Sequence, residues 1–118
     1  MAKHYSATLA GKAYALSLES SDTAKAFAAL LPLTLEMSEL NGNEKYHYLD
    51  TAIRQDPASV PDGIRAGDLM LFGNSCVVLF YQDFQTSYSY VRLGRLESPE
   101  GLANQIGPAS VTVAFAAE

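Results

Sequence analysis

The sequence predicts a mainly β protein, a closed barrel of about seven or eight mostly antiparallel strands with two short helices. Apolar residues alternate with polar ones along most of the chain, turn residues separate these runs, and only two segments carry helix signals. Many short antiparallel strands would leave exposed edges unless the sheet closed on itself, which favours a barrel. At 118 residues, the chain is predicted to form a single domain over residues 1–118.

The first half predicts a hairpin, a helix and a third strand. Tyr5–Leu9 and Tyr14–Leu18 alternate on either side of a turn at Gly11-Lys12. A helix is predicted over Asp22–Leu31, because short polar residues that can cap a helix precede apolar residues at i, i+3, i+4 and i+7. Leu33–Met37 then alternates as the third strand.

The segment from Glu44 to Ala66 is the least patterned part of the chain. It follows the turn-forming triplet Asn41-Gly42-Asn43 and contains several Pro and Gly turn signals, so it is predicted to be mostly surface loop. A connection of that length inside a small domain is more often functional than idle.

The second half predicts three further strands. Leu69–Phe72 and Cys76–Tyr81 flank a short hairpin loop at Gly73-Asn74-Ser75. The second of these runs is continuously apolar, which indicates that both of its faces are covered. Tyr88–Glu97 is predicted as the next strand.

A second helix and a last strand complete the predicted barrel. The helix is expected over Pro99–Ile106, with Ser98 as its N-cap, and the strand over Val111–Phe115. The residues expected to fill one barrel core are Leu9, Leu16, Leu35, Leu71, Val78, Leu93, Val113 and Phe115, or their immediate neighbours.

Composition and charge exclude several classes of protein. The 48% hydrophobic and 18% charged residues are typical of a folded domain. The net charge of −5 would repel a phosphate backbone, so nucleic acid is not an expected partner. The longest uncharged apolar run, Leu69 to Gln82, is interrupted by turn residues and is shorter than the ~20 residues of a membrane-spanning helix. No apolar signal core follows Met1, so a cytoplasmic protein is expected, with a previously removed signal peptide as the alternative.

Residues for metal, cofactor or covalent chemistry are few. Two histidines and one cysteine do not supply a transition-metal ligand set, so no metal site is expected. Cys76 heads a buried strand and is interpreted as a small core hydrophobe rather than a nucleophile. No phosphate loop, dinucleotide-binding motif or nucleophile elbow is present. The sequence therefore predicts no cofactor and assigns no catalytic residue.

A group of aromatic residues carries the main functional hypothesis. Tyr88, Tyr90 and Arg92 are spaced by two and share a strand face. Aromatic rings with polar tips suit an extended peptide or a small amphipathic ligand, and an Arg side chain can donate to its carbonyl or carboxylate. We hypothesise that one concave ligand-binding surface is bordered by Tyr46, Tyr48, Phe84, Tyr88, Tyr90 and Arg92.

A purely structural alternative explains the same residues. Tyr46 and Tyr48 would then cover one barrel end, and Tyr88 and Tyr90 would pack against neighbouring strands. Arg92 would be paired with an acid such as Glu36.

One stretch of the sequence resembles a known family. Val91-Arg92-Leu93-Gly94-Arg95-Leu96 is an apolar-Gly-basic-apolar strand that leads directly into the short helix opened by Ser98-Pro99-Glu100-Gly101, and the strands Gly67–Phe72 and Cys76–Tyr81 precede it. This order resembles the second half of the cyclophilin barrel, and most closely the small bacterial cyclophilin-like proteins. The resemblance implies a cyclophilin-like β-barrel.

The catalytic residues of cyclophilin isomerases carry over only in part. In that family the groove holds an Arg on the third strand, a Gln-Gly-Gly-Asp segment, a Phe, a Trp and a His. The resemblance places Tyr90 at the His position and Phe84 or Gln85 at the Trp position. The Phe position falls within Val78–Phe80, and Leu35–Met37 stands where the Arg is expected. The Gln-Gly-Gly-Asp segment is absent.

These departures predict a binding protein rather than an efficient enzyme. Prolyl isomerisation must cross a barrier of about 18–20 kcal/mol, and the missing Arg is the main electrostatic means of lowering it. We expect a barrel that binds a peptide or small ligand without efficient prolyl isomerase activity. One alternative is a divergent peptidyl-prolyl cis-trans isomerase that uses Arg54, Arg65 or Arg92, and another is a structural or oligomeric interaction module.

Overall fold

The computed structural model describes residues 4–53 and 56–117, which form a mainly β domain. Its strands are β1 (Tyr5–Leu9), β2 (Lys12–Leu18), β3 (Leu33–Leu40), β4 (Glu44–Tyr48), β5 (Asp68–Phe72), β6 (Cys76–Phe80), β7 (Val91–Leu96) and β8 (Val111–Ala117), and its helices are α1 (Asp22–Ala28) and α2 (Leu102–Ile106). All strand pairs are antiparallel, and the sheet closes in the order β1-β2-β7-β5-β6-β4-β3-β8. The predicted closed barrel with two short helices is confirmed.

Alternate residues of each strand fill one barrel core. Seven of the predicted core residues belong to it: Leu9, Leu16, Leu35, Leu71, Leu93, Val113 and Phe115. Val78 itself is buried in a second cluster on the outer side of the barrel, and its immediate neighbours Val77 and Leu79 fill the core there. The run Cys76–Phe80 is apolar at every position, so its sequence does not reveal which side chains point inward.

Both helices pack on the core but are shorter than predicted. The side chain of Ser21 accepts a hydrogen bond from the Ala24 amide at 3.2 Å, which confirms the capping chemistry before α1. The helix ends at Ala28 rather than Leu31, and its Phe27 ring packs edge-on against Phe115 with centroids 5.4 Å apart. The residues after Ala28 continue in a tighter turn with i→i−3 hydrogen bonds.

The start of α2 differs from the prediction for a local backbone reason. Ser98 is not its N-cap; Gly101 is, in a left-handed conformation with φ of 78°. That conformation separates Pro99 from the helix, which begins at Leu102. Leu102 and Ile106 still bury their side chains in the barrel core.

The predicted surface loop over Glu44–Ala66 is wrong for its first five residues, which form β4 between β3 and β6. The described part of the remainder forms only isolated bridges, Ser59 to Tyr90 and Ile64 to Phe84. Arg54, which the isomerase alternative invokes, lies outside the described residues.

Two smaller boundaries also differ from the predictions. The first hairpin turns at Ala10 and Gly11, both with positive φ, and Lys12 already belongs to β2. The strand predicted over Tyr88–Glu97 begins only at Val91, and Tyr90 makes an isolated bridge instead.

None of the helices in the described part of the chain is long and apolar enough to cross a membrane.

A buried lysine explains why β4 escaped the sequence pattern. Lys45 is completely buried, and its Nζ donates to Glu39 Oε1 at 2.8 Å, to the Gly107 carbonyl at 2.8 Å and to the Ala109 carbonyl. Tyr81 donates to the same Glu39 oxygen at 2.6 Å, and its ring faces the Lys45 ammonium. This group, which we call the Lys45 cluster (Glu39, Lys45, Tyr81 and the two carbonyls), ties β3 and β4 to the chain between α2 and β8.

The contacts of the Lys45 cluster shift the pKa values of two side chains, Glu39 and Tyr81. Burial alone would raise the pKa of the Glu39 carboxyl, but the hydrogen bonds from Lys45, Tyr81 and Gly42 and the charge of Lys45 outweigh it and lower this pKa below its ordinary value of 4.5. Burial, with the Glu39 hydrogen bond and charge, raises the pKa of Tyr81 to about 12. Charged Glu39 and neutral Tyr81 are therefore the forms that the fold favours.

We predict a corresponding dependence of stability on pH. Because the folded-state pKa of Glu39 is depressed, its stabilising contribution is present above pH 4.5 and is lost as pH falls through the folded-state value. Glu39→Gln should therefore lower the free energy of unfolding at neutral pH, and its difference from the wild type should shrink at about pH 3. Denaturant unfolding at both pH values measures this. A difference that stays constant would contradict the assigned role of Glu39.

Candidate ligand-binding groove

A groove runs along the outer side of the barrel above β6. In the strand register, Tyr46 of β4 lies beside Val78, and Cys76 lies between Tyr48 of β4 and Phe72 of β5. Neighbouring strands are about 4.8 Å apart, so the larger side chains of β4 and β5 form two walls about 10 Å apart over the smaller residues of β6. The groove has a volume of about 460 Å³ and is lined by Leu40, Asn41, Glu44, Tyr46, Tyr48, Phe72, Cys76, Val78, Tyr88 and Tyr90.

The walls of the groove are aromatic rings that contact one another, edge-to-face in the pairs Tyr46–Tyr48 and Phe72–Tyr88 and tilted in the pair Phe72–Tyr90. On one side, the ring centroids of Tyr46 and Tyr48 are 6.1 Å apart. On the other side, the ring centroid of Phe72 lies 6.1 Å from that of Tyr88 and 5.6 Å from that of Tyr90. Tyr48 and Tyr88 are 61% and 64% exposed, so the upper parts of both walls are open to solvent.

The floor of the groove is firmly packed. The floor residues Cys76 and Val78 belong to a second apolar cluster on the outer side of the barrel, which also contains Tyr90 of the wall and the residues Ile64, Met70 and Phe80. Two loops cover this cluster, because Ser59 and Ile64 exchange backbone hydrogen bonds with Tyr90 and Phe84. The inner faces of β5 and β6 point into the barrel core, and their outer faces are also buried except at Phe72. Such firm packing beneath a groove is typical of a preformed site rather than one that must fold around its ligand.

The groove contains one carboxylate, that of Glu44. This residue is only 8% exposed, and neither a hydrogen bond nor an ion pair to its side chain is found among the described residues. Burial, followed by the negative charge of Glu39, raises the pKa of Glu44. Burial raises the pKa values of Cys76 and Tyr90, and the negative charge of the Glu44 carboxylate raises them further.

These electrostatics make a nucleophilic role for Cys76 unfavourable. Cys76 is 4% exposed, and burial together with the nearby Glu44 charge raises the pKa of its thiol, which outweighs the opposite influence of Tyr48. Reactive cysteines need the opposite surroundings, with solvent access and positive charge. The surroundings of Cys76 therefore do not favour covalent catalysis by its thiol.

The structure brings together four of the six residues in our sequence-based hypothesis. The groove lining contains Tyr46, Tyr48, Tyr88 and Tyr90. These four side chains lie on the outer wall of the barrel, not at a barrel end. Phe84 lies outside this lining and packs against Phe80, with ring centroids 5.5 Å apart.

Arg92 also lies outside the groove lining. Its guanidinium forms a salt bridge of 2.9 Å with Asp68, whose other oxygen accepts from the Arg65 amide. The acid paired with Arg92 is therefore Asp68, across β5 and β7, rather than the suggested Glu36.

Two important groove residues were not found from the sequence. Phe72 ends an uninterrupted apolar run, although its spacing of two from Met70 places both on the outer face. Glu44 was assigned to a loop, and the signal that could have identified it is its spacing of two from Tyr46 and Tyr48. Within residues 4–53 and 56–117, no group of three or more His, Cys, Asp or Glu side chains is placed to hold a metal ion.

The family of the chain follows from a sequence comparison that agrees with the barrel. A profile described as the cyclophilin-like family matches residues 7–116, which reach from β1 to β8 and include both helices. A search of curated protein sequences finds no match. The match confirms the resemblance first noted in the strand and turn over 91–101. The chain belongs to the cyclophilin-like family.

Proposed function

We propose that this domain binds a peptide or a small amphipathic ligand in the groove above β6. The distribution of exposed apolar side chains carries this proposal. Among the described residues, six large hydrophobic side chains are exposed, and four of them line the groove: Leu40, Tyr48, Phe72 and Tyr88. Contiguous exposed apolar surface commonly marks an interaction site, whereas single exposed residues do not.

The shape and chemistry of the groove support the same proposal. Its volume of about 460 Å³ falls within the ~300–1,000 Å³ that is usual for small-molecule sites. Tyrosine rings offer a flat apolar face and a hydroxyl that can donate or accept a hydrogen bond. A ligand with an extended apolar body and a few polar groups would match this lining.

A ligand screen with groove variants tests the proposal. We expect saturation-transfer NMR against a mixed library of peptides and fragments to yield binders, and Tyr48→Ala and Phe72→Ala to weaken them at least tenfold. Both side chains are partly exposed, so the variants should fold. Leu30→Ala is the matched control, because Leu30 is similarly exposed at 38% but lies outside the groove lining, and it should leave binding unchanged.

Two results would contradict the proposal. The first is binding that the groove variants do not weaken. The second is concentration-dependent self-association that Tyr48→Ala and Phe72→Ala abolish, since the groove would then be an interface of an oligomeric module rather than a ligand site.

We further predict no appreciable prolyl isomerase activity on standard peptides. No Arg among the described residues lines the groove, Arg92 is engaged by Asp68, and in the stretch that the resemblance aligned with the catalytic Arg, Leu35 and Met37 are core residues. The rate of proline isomerisation should therefore equal the uncatalysed rate. A catalytic efficiency similar to that of cyclophilin isomerases, lost on replacing Arg54, Arg65 or Arg92, would show that this inference is wrong.

A further inference from the structure

The single charge in the groove gives information about the ligand. Among the described residues, Glu44 is the only charged one in the lining, and no Lys, Arg or His of residues 4–53 and 56–117 joins it there. A carboxylate removed from water is unfavourable unless a hydrogen bond or an opposite charge replaces the lost hydration. Glu44 has neither among the described residues, in contrast to Glu39, which accepts from Lys45, Tyr81 and Gly42.

Two basic side chains on strands beside the groove already have partners. Lys45 follows Glu44 in sequence, but its side chain is buried toward the core side, where it binds Glu39 and two carbonyls. Arg92 is paired with Asp68 outside the groove lining. Among the described residues no cation is therefore paired with Glu44, and a ligand bound in the groove could supply one.

The aromatic walls favour the same type of ligand. The face of a tyrosine or phenylalanine ring carries partial negative charge and attracts a cation within about 6 Å of its centre, and several rings around one space form a cage for ammonium groups. Tyr46 and Tyr48 stand on one side of the groove, and Phe72, Tyr88 and Tyr90 on the other. The rings would bind the alkyl groups of such a cation and its charge together.

We propose that the ligand of this groove carries an ammonium or quaternary ammonium group, bound beside Glu44 with its alkyl substituents between the aromatic walls. This inference rests on the proposed function and specifies its ligand class. The net charge of −5 would also attract a cation to the protein at low ionic strength.

A pair of probes that differ only in charge tests the inference. Choline carries a trimethylammonium group, and 3,3-dimethyl-1-butanol is its neutral counterpart of nearly the same shape. We expect choline to shift the amide signals of groove residues in two-dimensional NMR, with a dissociation constant at least tenfold lower than that of the alcohol. Glu44→Gln should remove this preference without changing the affinity for the alcohol. Glu36→Gln, which alters an exposed carboxylate of β3 outside the lining, should leave the preference intact.

The outcomes separate this inference from the proposed function. If the alcohol binds the groove as tightly as choline, or if Glu44→Gln retains the preference while its unfolding transition shows that it is folded, the cation inference is overturned. If choline does not shift groove signals but peptides or neutral fragments from the library do, only the ligand class is wrong. If neither choline nor any library member binds there, the proposed function fails together with the inference.

Discussion

Replacing Lys45 by methionine is expected to lower the free energy of unfolding by about 3–5 kcal/mol. The substitution leaves the Glu39 carboxylate and the carbonyls of Gly107 and Ala109 without the ammonium that they share. Methionine approximates the length of the lysine side chain, so the loss would come mainly from the unpaired polar groups rather than from a cavity. Equilibrium denaturation by urea measures the change.

Two comparison variants show whether the loss belongs to the Lys45 cluster. Lys25→Met removes an exposed lysine of α1 and should change stability by less than about 0.5 kcal/mol. The double variant Lys45→Met/Glu39→Gln should be more stable than Lys45→Met alone, because it removes the unpaired charge. A loss for Lys45→Met no greater than that for Lys25→Met would refute the structural role of this cluster.

Gly94→Ala is expected to destabilise the barrel by at least the ~1–3 kcal/mol typical of overpacking. A Cβ atom at Gly94 would lie 2.0 Å from the Ser17 carbonyl oxygen and 3.0 Å from the Leu18 Cα. Both are backbone atoms of β2, to which β7 is hydrogen-bonded, so relief would require the two strands to separate. Thermal unfolding should show a midpoint lowered by several degrees.

Gly63→Ala provides the matched control for this glycine. A Cβ there would approach the end of the flexible Gln85 side chain at 3.2 Å, which can move away. We expect its unfolding midpoint to stay near that of the wild type. Equal midpoints for the Gly94 and Gly63 variants would contradict the close contact between β2 and β7.

The barrel was predictable from the sequence because most of its strands bury only one face. Alternation identified β1, β2, β3 and β8, and turn residues located the hairpins between them. β4 was missed because a lysine occupies a core-facing position, where partners from β3 and from the chain after α2 satisfy it. Those partners are distant in sequence, so no local pattern around Lys45 reveals them.

The candidate groove was predictable only in part. A spacing of two placed Tyr88 and Tyr90 on one face, and both line the groove, whereas Tyr46 and Tyr48 were expected in a loop and lie on β4. The spacing could not tell which outward residues lie over which strand. The β-bulge between β5 and β7, which changes the register after Leu69, helps to place Arg92 opposite Met70 and near Asp68. Phe72 and Glu44 join the groove through strand pairing that becomes visible only once the barrel is closed.

Two adjacent valines allow the most direct test of ligand binding on the outer wall. Val78 lies on the groove floor, whereas Val77 faces the barrel core. In a methyl-labelled sample saturated with the tightest binder from the screen, we predict that the Val78 methyl signals shift and the Val77 signals stay in place. Shifts confined to Val77 and other core methyls, or to residues remote from both, would contradict a binding groove on the outer face of this barrel.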